Sequence, residues 1–178
     1  KMSQCISSSP PLGTATISPS SICLGQSVTI NYVPPACQTS LDFKNNYGPL
    51  YWVTAQIPAN SNGTINTSLA PASISMVSSN AAIGGGQGTT AYSATIQCTG
   101  TLTFNWSYTS LDGAAYDYPQ FSIDGGAPVL FTGYSLTGTN AQSGTVSVNV
   151  SAGQLFSLQV HSVDNSFGSC TVVISNFS

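Results

Sequence analysis

Between residues 101 and 108 the chain alternates without a break: Leu102, Phe104, Trp106 and Tyr108 are apolar, while Thr101, Thr103, Asn105 and Ser107 between them are polar. Successive side chains of an extended strand point to opposite faces, so a period of two makes a strand that is wet on one side and buried on the other. The pattern returns at Val28, Ile30 and Tyr32, at Val146, Val148 and Val150, and at Phe156, Leu158 and Val160. Further strands are expected over residues 50–57, 63–69, 72–77, 89–98 and 171–177. No segment of helical length carries a 3.6-residue period. The fold class is therefore all-β, a β-sandwich or jelly roll, built as two small sandwiches or one large one. The expected division is an extended arm over residues 1–12, where Pro10-Pro11 blocks a helix, then one sandwich over 13–97 and another over 98–178.

Charge is nearly absent. Only 4% of the 178 residues are charged, against roughly 25% in a typical soluble domain. The net charge of −3 offers no basic surface, so nucleic acid and anionic membranes are not expected partners. No apolar run approaches the roughly 18 residues that span a bilayer, and membrane insertion is not expected. Weak repulsion between copies favours self-association instead. Any export signal is expected to have been removed before Lys1.

Catalysis has few groups to recruit. Glutamate and arginine are missing, and His161 is the single histidine. It sits opposite the apolar face of its strand, with no nucleophile elbow nearby, and is expected to face solvent. Paired carboxylates can hydrolyse glycosides, yet the expectation is a protein that is not an enzyme.

Five cysteines lack the spacing of a zinc site or a redox pair, which leaves disulfides in an oxidising compartment. Because the number is odd, one thiol is free or joins another molecule. Cys5, in the Ser- and Pro-rich tail, is the expected intermolecular partner.

All five acidic residues are aspartates, and Asp112, Asp117, Asp124 and Asp164 fall in the C-terminal part. Asp112-Gly113 and Asp124-Gly125 are turn dipeptides, the reading favoured for Asp124. The run Tyr116-Asp117-Tyr118-Pro119-Gln120-Phe121-Ser122-Ile123-Asp124-Gly125, with Phe104-x-Trp106-x-Tyr108 before it and Ser162-Val163-Asp164-Asn165 after it, resembles CUB and CUB-like modules over residues 98–178. That resemblance implies a calcium site ligated by Asp117 and Asp164. The family's glutamate has no counterpart near Tyr108 or Thr109, and Asp112 is the nearby substitute. The family's cysteine pattern is not reproduced. Calcium prefers six to eight oxygens, so three aspartates with carbonyls and water suffice in kind.

Residues 17–29, with Cys23 ahead of Gly25-Gln26-Ser27-Val28-Thr29, resemble the opening strands of immunoglobulin-like modules of bacterial surface proteins. The likeness implies a bridge from Cys23 to Cys98 or Cys37. Tyr47, Tyr51 and Trp52, beside Asn45, Asn46 and Gly48, are candidates for a flat platform that stacks on a sugar ring, or else for core. Five Asn-x-Ser/Thr triplets begin at Asn62, Asn66, Asn105, Asn149 and Asn176.

The function expected from these features is structural: a secreted or cell-surface subunit of a filament or adhesin, rigidified by calcium. Copies, or neighbouring surface modules, would join by strand addition from residues around 13–18. The alternative is a monomeric calcium-dependent module that binds carbohydrate or protein.

Overall fold

The computed structural model describes residues 14–18, 29–33, 42–81 and 86–178. The chain divides into two compact units, residues 1–38 and 39–178. In the first, β1 (Thr14–Ser18) pairs antiparallel with β2 (Thr29–Val33), setting Ile17 opposite Ile30. The segment expected to be donated to a neighbour thus has a partner within its own chain. The arm over residues 1–12 lies outside the described residues.

The second unit is a sandwich of two five-stranded sheets, antiparallel throughout. Its strands are β3 (Val53–Ile57), β4 (Thr64–Asn66), β5 (Ser73–Val77), β6 (Gly88–Thr95), β7 (Gly100–Ser110), β8 (Asp117–Ile123), β9 (Val129–Leu130), β10 (Ala141–Val150), β11 (Leu155–Ser162) and β12 (Cys170–Ser175). One sheet runs β10-β7-β12-β5-β4 and the other β3-β6-β11-β8-β9. Each takes strands from both sides of residue 97, so the expected division into 13–97 and 98–178 does not separate two sandwiches. Central β12 sits between β7 and β5 and binds the two parts of the sequence together.

The alternation sorts the side chains as period two requires. Leu102, Phe104, Trp106 and Tyr108 of β7 face Phe156, Leu158 and Val160 of β11 across a shared interior, closed by Val172 and Ile174 of β12. Gly144 of β10 pairs with Trp106, and an added Cβ there would come within 2.9 Å of the indole, so this position needs glycine. At Asp124-Gly125 both residues have positive φ, and Gly126 N donates to Ile123 O at 2.9 Å. That is a tight hairpin turn with the left-handed central pair favoured by Asp-Gly. Pro49 opens a 3-10 turn over Pro49–Tyr51, which delays the strand expected at residue 50 until Val53.

Candidate functional site

Three regions bear on function: the carboxylate end of the interior, the aromatics around Trp52, and the outer face of the β3-β6-β11-β8-β9 sheet.

At the first, β8 begins with Asp117, whose side chain points inward and is fully buried. Both of its carboxylate oxygens, and Oδ2 of half-buried Asp112, lie out of solvent without a hydrogen-bond partner. The hydroxyls of Ser162 and Ser78 are close enough to ease the charge on Asp117, yet neither meets it with hydrogen-bond geometry. Burial, reinforced by the charges of Asp112 and Asp164, pushes the Asp117 carboxyl up to about 6. Its own backbone carbonyl accepts the hydroxyls of Tyr108 at 2.7 Å and Tyr134 at 3.1 Å. Nearby Cys170 is a buried free thiol, pushed up to about 12 by burial and by Asp117.

These donors suit calcium in kind, being hard oxygens that nothing else satisfies. Their arrangement falls short of the expected trio. Among the described residues no group of three or more His, Cys, Asp or Glu side chains is placed to hold a metal ion. Asp112 and Asp164 are partly spent on their own turns, Oδ1 of Asp112 accepting from Gly113 N and Oδ1 of Asp164 from Ser166 N. Asp124 binds Leu155 N and Gln154 Nε2, and serves its hairpin as expected.

The cysteines also differ from expectation. Cys98 is disulfide-bonded and Cys170 is free, so Cys170 already accounts for the odd number. Cys5, Cys23 and Cys37 lie outside the described residues, and parity gives no reason for Cys5 to seek another molecule.

The expected aromatic platform is mostly core. Trp52 stacks on Tyr92 at 4.8 Å, meets Phe177 edge-on at 5.4 Å, and donates Nε1 to the Tyr47 carbonyl. Tyr47 packs edge-on against Phe177. Of the three, Tyr51 alone is exposed, on a turn and without an aromatic neighbour among the described residues.

The third region had no distinct signal in the sequence. Core positions alternate with Ala91 and Ser93 on β6, Ser157, Gln159 and His161 on β11, and Tyr118, Gln120 and Ser122 on β8, so these positions lie on the outer face, Tyr118 also packing against the margin of the core. They are sheltered nonetheless: Ala91, Gln120, Ser122 and Ser157 are each at most 9% exposed. Val53 and Ile57 of edge strand β3, in register with Ser93 and Thr89 of β6, are 69% and 58% exposed. A fixed network covers it. Gln120 Nε2 donates to Gln159 Oε1, Gln159 Nε2 donates to Ser122 Oγ, and Ser93 Oγ donates to Ser157 Oγ. His161, expected to be solvent-facing, is on this outer side but half-buried, its Nδ1 2.8 Å from Thr89 Oγ1 and its ring 5.1 Å from Tyr118. Burial lowers its pKa, so the imidazole is neutral at neutral pH. Among the described residues the face carries amides, hydroxyls and rings and no ionised group.

No family profile and no curated protein matches the chain. Among solved structures it is similar to three β-rich domains at low identity. The K1 cleaved adhesin domain of Lys-gingipain from Porphyromonas gingivalis matches at 14% identity over 75% of this chain and 94% of that one, with a TM-score of 0.43. The N-terminal cellulose-binding domain of β-1,4-glucanase C from Cellulomonas fimi matches at 13% over 74% and 88%, at 0.38. A carbohydrate-binding module of lichenase 5A from Cellvibrio mixtus, solved with cellotriose, matches at 15% over 69% and 95%, at 0.35.

Proposed function

We propose that the chain is a non-enzymatic, secreted β-sandwich module that binds a neutral carbohydrate across the outer face of the β3-β6-β11-β8-β9 sheet. The observation that carries this reading is the pre-set amide and hydroxyl network of Gln120, Ser122, Ser157 and Gln159 in a sheltered, uncharged setting. Sugar hydroxyls both donate and accept, so amides held in fixed orientation suit them. A network ordered beforehand also spares the entropy of fixing it on binding. Apolar Val53 and Ile57 at one rim, and the Tyr118 ring at one end, offer surface to the C–H faces of a sugar. Affinity electrophoresis in neutral polysaccharides tests the reading. Retardation that falls about tenfold in Gln159→Ala, roughly 1.4 kcal/mol, is the expected result; migration unchanged by every neutral glycan overturns it.

Calcium is part of the proposal at Asp117, favoured by the two unpartnered oxygens of its buried carboxylate. An ion there, shared with Asp112, would relieve charge that the Ser162 and Ser78 hydroxyls only ease and would stiffen this end of the sandwich.

Assembly into a filament or adhesin is a second reading, favoured by the β3 edge. Val53–Ile57 has an open main-chain edge, exposed apolar side chains and no charged residue, which are the conditions under which edges pair. Light scattering decides: a monomer at high concentration, unaltered by Val53→Lys, ends this reading and leaves the carbohydrate reading intact.

A further inference from the structure

The five Asn-x-Ser/Thr triplets are scattered along the sequence, but the fold gathers them. Asn66 lies in β4, Asn105 in β7 and Asn149 in β10, while Asn62 just precedes β4 and Asn176 directly follows β12. All five are exposed, and all belong to the β10-β7-β12-β5-β4 sheet or its margins. The opposite sheet has none.

We infer that the outer face of the β10-β7-β12-β5-β4 sheet is N-glycosylated at Asn66, Asn105 and Asn149. Accessibility of one atom distinguishes these three. Asn105 Oδ1 accepts from Thr145 Oγ1 at 2.9 Å, Asn149 Oδ1 from Thr101 Oγ1 at 3.0 Å, and Asn66 Oδ1 from Ser68 N at 2.9 Å. In each the amide oxygen is held by a neighbour, and Nδ2 makes no hydrogen bond among the described residues. On β7, Asn105 and Ser107 are two apart in an extended strand, so the amide and the hydroxyl of the triplet stand on the same exposed face. Asn62 is different. Its Oδ1 accepts from Asn80 N and Ser79 Oγ, and its Nδ2 reaches the Asn80 carbonyl, so the group is tied into the loop. Asn176 has a φ of 51°, and buried Phe177 follows it, so the extended alignment of amide and hydroxyl is lost.

The modification needs a lipid-pyrophosphate-linked saccharide and the host's oligosaccharyltransferase. A bond forms from Nδ2 to C1 of the first sugar, the C1–O bond to the pyrophosphate breaks with its electron pair leaving on the phosphate, and the amide loses one proton. The consequence is physical as well as chemical. Strand β10 is a ten-residue edge without a lysine, a proline or any charge, and so lacks the usual protection against edge-to-edge pairing. A hydrated glycan on Asn149 covers that edge.

The test is glycopeptide mass spectrometry of the full chain secreted by a host with N-glycosylation. Chymotrypsin is the protease, since with two lysines and no arginine trypsin leaves large fragments. A saccharide is expected at Asn66, Asn105 and Asn149, and little at Asn62 and Asn176; Asn62 and Asn66 share one chymotryptic peptide and are told apart by electron-transfer fragmentation. Ser107→Ala and Ser151→Ala, which retain the asparagines, should each remove one increment from the intact mass. Bare peptides at Asn66, Asn105 and Asn149 while a co-expressed reporter is glycosylated overturn the inference, as does occupancy at Asn62 equal to theirs. Carbohydrate binding by the outer face of the other sheet is read in a separate assay and is indifferent to either outcome.

Discussion

Strand β12 starts beside a buried carboxyl group and finishes under a stack of rings, and the two ends of the sandwich are held by different physics. Phe177, just past its C-terminal end, lies 5.1 Å from Phe43, 5.4 Å from Trp52 and 6.0 Å from Phe104, ring centre to ring centre. That end coheres by buried area and ring packing, which no proton alters. At the other end Cys170, Ser78, Ser162, Tyr108 and Tyr134 surround Asp117, and cohesion depends on hydrogen bonds and on the state of one acid. The aromatic end sets a baseline of stability, and the acid end makes that stability depend on solution conditions.

Truncating the anchor of the aromatic end should do the most damage. Phe177→Ala removes a fully buried ring shared by Phe43, Tyr47, Trp52, Phe104 and Phe156, and is expected to cost about 3–5 kcal/mol in urea unfolding. The loss should be the same at pH 4 and pH 7. A cost below about 1 kcal/mol would show that the cluster repacks without it.

The acid end should answer to pH instead. The folded carboxyl of Asp117 is raised from 3.8 to about 6, so the folded state holds a proton that the unfolded state has released. Its contribution is complete below pH 4 and is lost as pH rises through 6, amounting to about 3 kcal/mol from the two-unit shift. In chelator, unfolding free energy should therefore fall between pH 4 and pH 6. Asp117→Asn should flatten that slope and be the more stable protein at pH 7. An unchanged slope in Asp117→Asn would remove this carboxyl as its source.

Calcium sharpens the contrast further. At pH 7.5 an ion at Asp117 and Asp112, present at a hundredfold over its dissociation constant, adds about 2.7 kcal/mol. The expected result is a calcium-dependent rise in Tm for the native chain and none for Asp117→Asn. Equal melting curves with calcium and with chelator leave Asp117 as a proton site only.

How far the two ends can be read from the sequence follows the range of the forces involved. The alternation of Leu102 to Tyr108 and of Phe156 to Val160 is local, so strands and their buried faces are visible without any partner. The single sandwich is not, because β12 pairs with β5 about a hundred residues earlier and no local pattern encodes that choice. Trp52 and Tyr47 look like a surface platform among Asn45, Asn46 and Gly48, until Phe177 arrives from the far end of the chain to bury them. Asp117 stands out as a rare charge, but that Asp112 and Asp164 each commit one carboxylate oxygen to their own turns is a matter of local geometry that the spacing does not reveal. Gln120 and Gln159 resemble any outward polar residue of a strand. Their pairing depends on register, which sets them opposite one another on β8 and β11.

The smallest expected effect tests whether the acid end is held by hydrogen bonds. Tyr108 and Tyr134 both donate to the Asp117 carbonyl, and Tyr134 also donates to Ala114 O at 2.7 Å. Removing the Tyr108 hydroxyl leaves the Asp117 carbonyl with Tyr134, so Tyr108→Phe should cost about 0.5–1 kcal/mol. Tyr134→Phe strips Ala114 O as well, and should cost more, about 1–1.5 kcal/mol. Either hydroxyl covers the Asp117 carbonyl when the other is gone, whereas the double variant removes both donors from a buried acceptor. Its cost should exceed the sum of the single losses by about 0.5 kcal/mol or more, a coupling that a double-mutant cycle in urea resolves. Strict additivity would mean that the two hydroxyls act independently rather than as alternative donors to one carbonyl, and the acid end would then owe its cohesion to separate contacts rather than to a shared acceptor.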